Sequence, residues 1–182
     1  MTPRLLTLCL LIFATAALRL LPHWPNFTPV AALALFAGAH LDDRRLAFVV
    51  PFAALLLSDW VLGFYPGMVF VYAGFAVSVL IGFALRRRRG LRRIAAATLA
   101  GAIAFFLISN FGAWLTTGLY PRDAAGLAAA YIAGIPFLRN ALAGDLVYVA
   151  LLFGGFWLAE RRFAWLRAKT AGLARTGALG QS

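Results

Sequence analysis

The chain has little of what cytosolic enzymes are usually built from. Its 182 residues include one cysteine, Cys9, one glutamate, Glu160, one lysine, Lys169, and two histidines, His23 and His40. A lone cysteine inside an apolar stretch excludes a disulfide framework and any multi-cysteine metal or iron–sulfur site. No HExxH, GxSxG, Walker A, CxxC or glycine-rich dinucleotide pattern occurs, so the common hydrolytic, phosphoryl-transfer and redox signatures are missing. No glutamate pair is available for acid–base work, and Asp59 and Asp145 each have arginines to pair with. No enzyme activity, cofactor or metal is expected. Charge is also scarce: 13% of residues are charged and 63% are hydrophobic, against about 45–50% in a soluble domain. That excess excludes a soluble globule.

What is present is a series of apolar runs bounded by charge, Pro or Gly, at about 5–21, 28–41, 46–63, 68–85, 94–118 and 136–159. They predict an all-α, polytopic membrane protein with six transmembrane helices. The domain is a single unit over 1–168, followed by a flexible tail, 169–182. A net charge of +11 would point to nucleic acid in a soluble chain, but here the basic residues fall between the apolar runs and follow membrane topology. Arg4, Arg44, Arg45, the run Arg86 to Arg89, Arg92, Arg93 and the tail residues Arg161, Arg162, Arg167, Lys169 and Arg175 share one side. Arg19, Arg122 and Arg139 lie on the other. The positive-inside rule then puts both termini in the cytoplasm, and the expected location is a bacterial cytoplasmic (inner) membrane with no nucleic-acid partner. The first run carries a second reading: Arg4, an apolar stretch and Ala14-Thr15-Ala16 also have the three parts of a secretory signal. Both readings place residue 22 outside.

The second run is short. Fourteen helical residues at 1.5 Å each reach ~21 Å across a ~30 Å hydrocarbon core. The loop before it, 22–29, is therefore expected to dip inward, and backbone at that depth must be buried in protein or face a polar cavity. The short helix thus predicts a recess open to the outside. Between the fifth and sixth runs, Ala124 to Gly134, ending at Pro136, predicts a short interfacial helix lying over that mouth.

Ionisable residues inside spans are functional candidates by default, and here they gather in the outer half: Arg19, Asp59, Arg139 and Asp145. Asn110, Trp114 and Thr117 share a face of the fifth span, and Asn140, Gly144 and Tyr148 form a stripe on the sixth beside Asp145. Trp24, Asn26, Thr28, Trp60, Tyr65 and Tyr72 add to the same end. The expected binding residues are Trp24, Asn26, Asp59, Trp60, Tyr72, Asn110, Trp114, Arg139, Asn140, Asp145 and Tyr148, as an outward-facing pocket walled by aromatics with charges and amides at its floor. A plainer reading stands beside this one. Trp24, Trp60, Tyr65 and Tyr120 suit an aromatic belt, Asp59 and Asp145 suit ion pairs with Arg139 and Arg19, Asn110 suits an interhelical hydrogen bond, and His23 suits a solvated loop.

Three stretches carry a resemblance: Pro22-His23-Trp24-Pro25-Asn26-Phe27-Thr28-Pro29 with the apolar run to Phe36; Ser58-Asp59-Trp60-Val61-Leu62-Gly63; and Gly134-Ile135-Pro136-Phe137-Leu138-Arg139-Asn140 with Gly144-Asp145-Leu146. Over roughly 15–160 the chain resembles an uncharacterised family of small bacterial six-helix membrane proteins. More distantly it resembles the substrate-binding S-components of energy-coupling-factor (ECF) vitamin transporters. That likeness implies a six-helix bundle binding a micronutrient in its outer half, beneath loops corresponding here to 22–28, 64–67 and 119–135. The Ala-x-x-x-Ala docking motif of S-component first helices is absent from 5–21, while small-residue spacings occur at Ala34 to Gly38 and Ala96 to Ala100. The expected function is uptake or binding of a small, flat micronutrient such as a vitamin or cofactor precursor, with an ATP-driven coupling module or another membrane subunit as partner. The alternative is a non-catalytic structural or accessory subunit of a membrane complex.

Overall fold

The structure is a computed structural model that describes residues 2–22 and 24–167. His23 and the tail after 167 lie outside the described residues. Every regular element among those described is helical: α1 (Pro3–Ala17, with a 3-10 turn Leu18–Leu20), α2 (Val30–His40), α3 (Arg44–Leu62), α4 (Met68–Phe83), α5 (Leu91–Thr116), α6 (Ala124–Val149) and α7 (Gly155–Arg162). A π-helical segment, Ala150–Gly154, joins α6 to α7 without a break. By length and composition four helical stretches can cross a membrane: Pro3–Leu20, Arg44–Leu62, Leu91–Thr116 and Ala124–Arg162. Val30–His40 and Met68–Phe83 are shorter apolar helices. Leu6 and Leu10 on α1, Leu56 and Leu57 on α3, Leu99 and Leu107 on α5 and Leu151 beyond α6 point their side chains outward. Apolar patches of that extent suit a lipid rather than a water boundary.

α2 is the centre of the bundle. Its sequence, VAALALFAGAH, is apolar on all sides, and a helix apolar all round is a buried one. Every residue of it except Ala31 is buried, and it packs against α1, α3, α4, α5 and α6. At eleven residues it is ~16 Å long, shorter still than the 28–41 run. Proline explains the difference: Pro29 takes the N-cap position, and the backbone from Trp24 to Pro29 is held non-helical as a loop against α6. There Asn140 Nδ2 donates to the Pro25 carbonyl at 3.1 Å, and a Cβ on Gly144 would come within 3.2 Å of the Phe27 backbone. The loop expected to dip inward thus packs on α6.

α2 needs both ends answered because it is buried end to end. A helix leaves its first N–H and last C=O groups without partners. At the C-terminal end Arg86 donates from Nε to Gly38 O (2.9 Å), from Nη2 to Leu41 O (2.6 Å) and from Nη1 to Asp42 O (3.2 Å), and Arg89 Nη2 donates to Ala39 O (2.9 Å). Two residues of the arginine run thus cap the central helix, where cations complement the negative end of the dipole. His40 is a core residue at this end: its Nδ1 lies 3.1 Å from Phe36 O, and its ring sits among Phe36, Phe153 and Phe156. α1 is tied in nearby through Arg4, whose Nη1 reaches Glu160 Oε1 at 2.7 Å and also donates to Leu166 O.

The expected lid over 124–134 is corrected. Those residues are the first turns of α6, which runs through Pro136 without ending there. Proline removes one backbone bond, but it is tolerated inside membrane helices where a neighbour supports the chain. α5 supplies that support: Gly134 lies against Asn110, Tyr131 Oη donates to Leu107 O at 2.9 Å, and the Phe106 and Tyr131 rings meet. Asp123 is the N-cap of α6, accepting from Gly126 N at 2.7 Å.

The two small-residue spacings have different fates. Gly38 crosses Gly82 of α4 so closely that a Cβ on Gly38 would stand 2.3 Å from Val79 O, and one on Gly82 would stand 2.5 Å from Leu35 O. Ala96 and Ala100 of α5 face outward and are exposed. Gly38→Ala or Gly82→Ala is therefore expected to lower the thermal midpoint of the detergent-solubilised protein sharply, by about 1–3 kcal/mol of stability or more, while Ala100→Leu leaves it unchanged. Equal midpoints for all three variants would show that the α2–α4 crossing is not this close.

Candidate functional site

At the end of the bundle remote from the arginine run, the ends of α1 and α3 meet the beginnings of α2 and α4 around a cavity of about 350 Å³. Seven segments line it, α4 contributing Val71. Arg19 comes from the turn after α1, Asn26 and Thr28 from the dipping loop, and Val30 and Ala31 from the first turn of α2. Tyr65 comes from the loop after α3. α5 contributes Ala102, Phe105, Phe106, Ser109, Asn110 and Ala113, and α6 contributes Phe137, Leu138, Ala141 and Asp145. The spacings 102, 105/106, 109, 113 and 137/138, 141, 145 are single faces of two adjacent helices.

Of the residues expected to bind, Asn26, Asn110 and Asp145 come together on this wall. The expected face of α5 is rotated relative to the one observed. Trp114 Nε1 donates to the Pro121 carbonyl in the α5–α6 connection at 2.8 Å, and Thr117 Oγ1 donates to Ala113 O at 2.6 Å at the end of α5 itself, so neither lines the cavity. The α6 stripe Asn140, Gly144, Tyr148 faces the dipping loop, with Tyr148 against the Phe27 ring at 5.9 Å. One residue along a helix turns the side chain by about 100°, so Asp145 faces the cavity while Gly144 faces the loop. Trp24 and Trp60 are 75% and 73% exposed, and Arg139 is exposed with no ion pair among the described residues. None of these three lines the cavity. The loops 22–28 and 64–67 contribute to the wall, and 119–135 does not.

Asp59 and Tyr72 form a locked network beside the cavity rather than part of its wall. Arg19 Nη2 stands 2.7 Å from Asp59 Oδ1, Arg19 Nη1 donates to Ser58 Oγ at 2.5 Å, Ser58 Oγ donates to Leu55 O, and Tyr72 Oη donates to Asp59 Oδ2 at 2.9 Å. The Asp59 side chain is fully buried. The ion-pair reading of Asp59 is thus correct in kind and corrected in partner: its cation is Arg19, not Arg139. Asn110 Nδ2 donates to Phe106 O in its own helix, so the expected interhelical bond is absent, although Gly134 of α6 packs on its amide. Burial, and next the Asp59 charge, raise the Tyr65 phenol above its ordinary value, so this residue meets the cavity as a neutral hydroxyl.

Asp145 is different. It is 3% exposed and forms no ion pair among the described residues. Its polar neighbour is the backbone N–H of Ala32 in the first turn of α2. α2 has no side-chain cap, because Pro29 has nothing to offer. An acid at this position meets the positive end of the helix dipole, and it does so from the cavity wall.

Breaking a buried pair strands a charge and costs about 3–5 kcal/mol, whereas replacing both partners by apolar residues removes that penalty. Arg19→Ala and Asp59→Ala are each expected to lower the thermal midpoint strongly, and Arg19→Met with Asp59→Leu to recover most of the loss. A double variant as unstable as the singles would show that the network's role is not charge neutralisation.

No curated protein and no solved structure matches this sequence, and none of the comparisons links it to the S-components. Over residues 1–170 the chain matches the family of unknown function DUF6580. A match of that length, covering every described helix, assigns the chain: it belongs to that family.

Proposed function

We propose that this protein is an integral membrane binding or uptake protein for a small molecule, with an S-component-like arrangement of six helices. The ligand occupies the cavity at the end remote from the arginine run. By the positive-inside rule that end faces outward and both termini face the cytoplasm, in a bacterial inner membrane. The observation that carries this reading is the cavity itself: about 350 Å³ lined by seven segments of the bundle, with a buried carboxyl on its wall. That volume is at the small end of the roughly 300–1,000 Å³ usual for small-molecule sites, and phenylalanines with a few amides and hydroxyls are the usual lining of such a site. A vitamin or cofactor precursor is of suitable size, with an ATP-driven coupling module or another membrane subunit supplying energy. The accessory-subunit reading has the Arg19–Asp59–Tyr72 network in its favour, since that cluster locks α1, α3 and α4 together. It gives the cavity and Asp145 no role.

Native mass spectrometry of the gently purified protein tests the proposal. A small molecule is expected to co-purify at one-to-one stoichiometry. Ala141→Phe, which fills the cavity from α6, is expected to lose it while the thermal midpoint holds. A ligand retained by Ala141→Phe would place the site elsewhere, and an empty protein bound reproducibly to another subunit would favour the accessory role.

A further inference from the structure

The wall of the cavity limits the charge it can accept. Of the residues lining it, two carry formal charges, Arg19 and Asp145. Arg19 is already paired: its Nη atoms are committed to Asp59 at 2.7 Å and Ser58 at 2.5 Å, and its buried Nε alone has no partner. Asp145 has no such partner. Its side chain is shielded from the surroundings, it lines the cavity, and no cation reaches it from the described residues. The α2 dipole offsets part of its charge, about half an elementary unit at the helix end. A buried acid keeps its charge where it is paired, and a cation inside the cavity would supply the pairing that Asp145 lacks among the described residues.

The other walls favour the same sign. Phe105, Phe106 and Phe137 line the space, and aromatic faces attract cations through their quadrupole. Ser109, Asn110 and Thr28 provide neutral hydrogen-bonding groups. An acid placed only to cap α2 would need contact with its first turn alone, and Asp145 also forms part of the cavity wall.

We infer that the ligand is a small organic cation, a protonated amine or a cationic heterocycle, whose positive charge meets the Asp145 carboxylate while its body lies against Phe105, Phe106 and Phe137. This rests on the reading of the cavity as a ligand site. The carboxylate would repel an anion, and a neutral heterocycle would not neutralise its charge.

The test titrates the full-length protein in lipid nanodiscs, by thermal shift and calorimetry, with three series matched in size: benzylamine and benzyltrimethylammonium, benzamide and nicotinamide, benzoate and nicotinate. The charge of any co-purifying molecule is counted with the series it belongs to. Cations alone are expected to bind, and Asp145→Asn to weaken them at least about 30-fold. Phe137→Leu leaves the α2 terminus untouched and serves if Asp145→Asn does not fold. It is expected to weaken cations several-fold and to leave neutral compounds unaffected. Binding by the neutral or anionic series, or cation binding unchanged in these variants, would overturn the cationic class and leave the ligand site standing. No binding by any series, together with no co-purifying molecule, would overturn both.

Discussion

A helix buried along its whole length cannot leave its ends to water, and the rest of this protein is organised around that constraint on α2. Its eleven residues offer no side-chain cap at the N-terminus and no polar side chain for the C-terminal carbonyls apart from His40. Arg86 and Arg89 close one end from the connection between α4 and α5, and Asp145 approaches the other from α6. Both complement the dipole in sign. The close crossing at Gly38 and Gly82 holds α2 against α4, so the helix that carries the charges is also fixed in place.

The two buried acids illustrate how position decides role. Asp59 is enclosed, paired with Arg19 and bonded to Tyr72, so its charge is spent within the protein. Asp145 meets only a helix end and a cavity, so part of its charge remains for whatever enters. The network around Asp59 contributes to the site indirectly, because it immobilises Arg19, removes that cation from competition and leaves the cavity with one sign of charge. In the proposed reading, stability and recognition are divided between two groups of the same chemical type.

Much of this was legible in the sequence, and the losses have identifiable causes. The brevity of α2 and the non-helical loop before it were legible in the closely spaced Pro22, Pro25 and Pro29, because prolines at this spacing remove backbone donors and disfavour helix in the residues before them. The clustering of Arg19, Asp59 and Asp145 toward one end of the bundle followed from apolar-run boundaries alone. Which face of α5 and α6 lined the cavity did not follow. Helical spacing groups residues into stripes but does not say which stripe faces inward, and the polar stripes chosen serve the loops instead. The cavity faces are largely Phe and Ala, which look like ordinary packing until a space opens beside them. Pro136 misled in the opposite direction, since a helix stop in isolation is only a weak spot when α5 lies alongside.

The sequence by itself determined an all-helical chain rich enough in apolar runs for a membrane, the short second helix, and the end at which ionisable groups collect. These depend on composition and on local backbone chemistry, which each segment carries with it. The tertiary structure alone decided that Asp59 pairs with Arg19, that Arg86 and Arg89 cap α2, and that Asp145 is left facing a cavity. Those pairings join residues 40 or more positions apart. They depend on helix rotation and crossing, which are settled when buried surfaces and unsatisfied polar ends find their partners together.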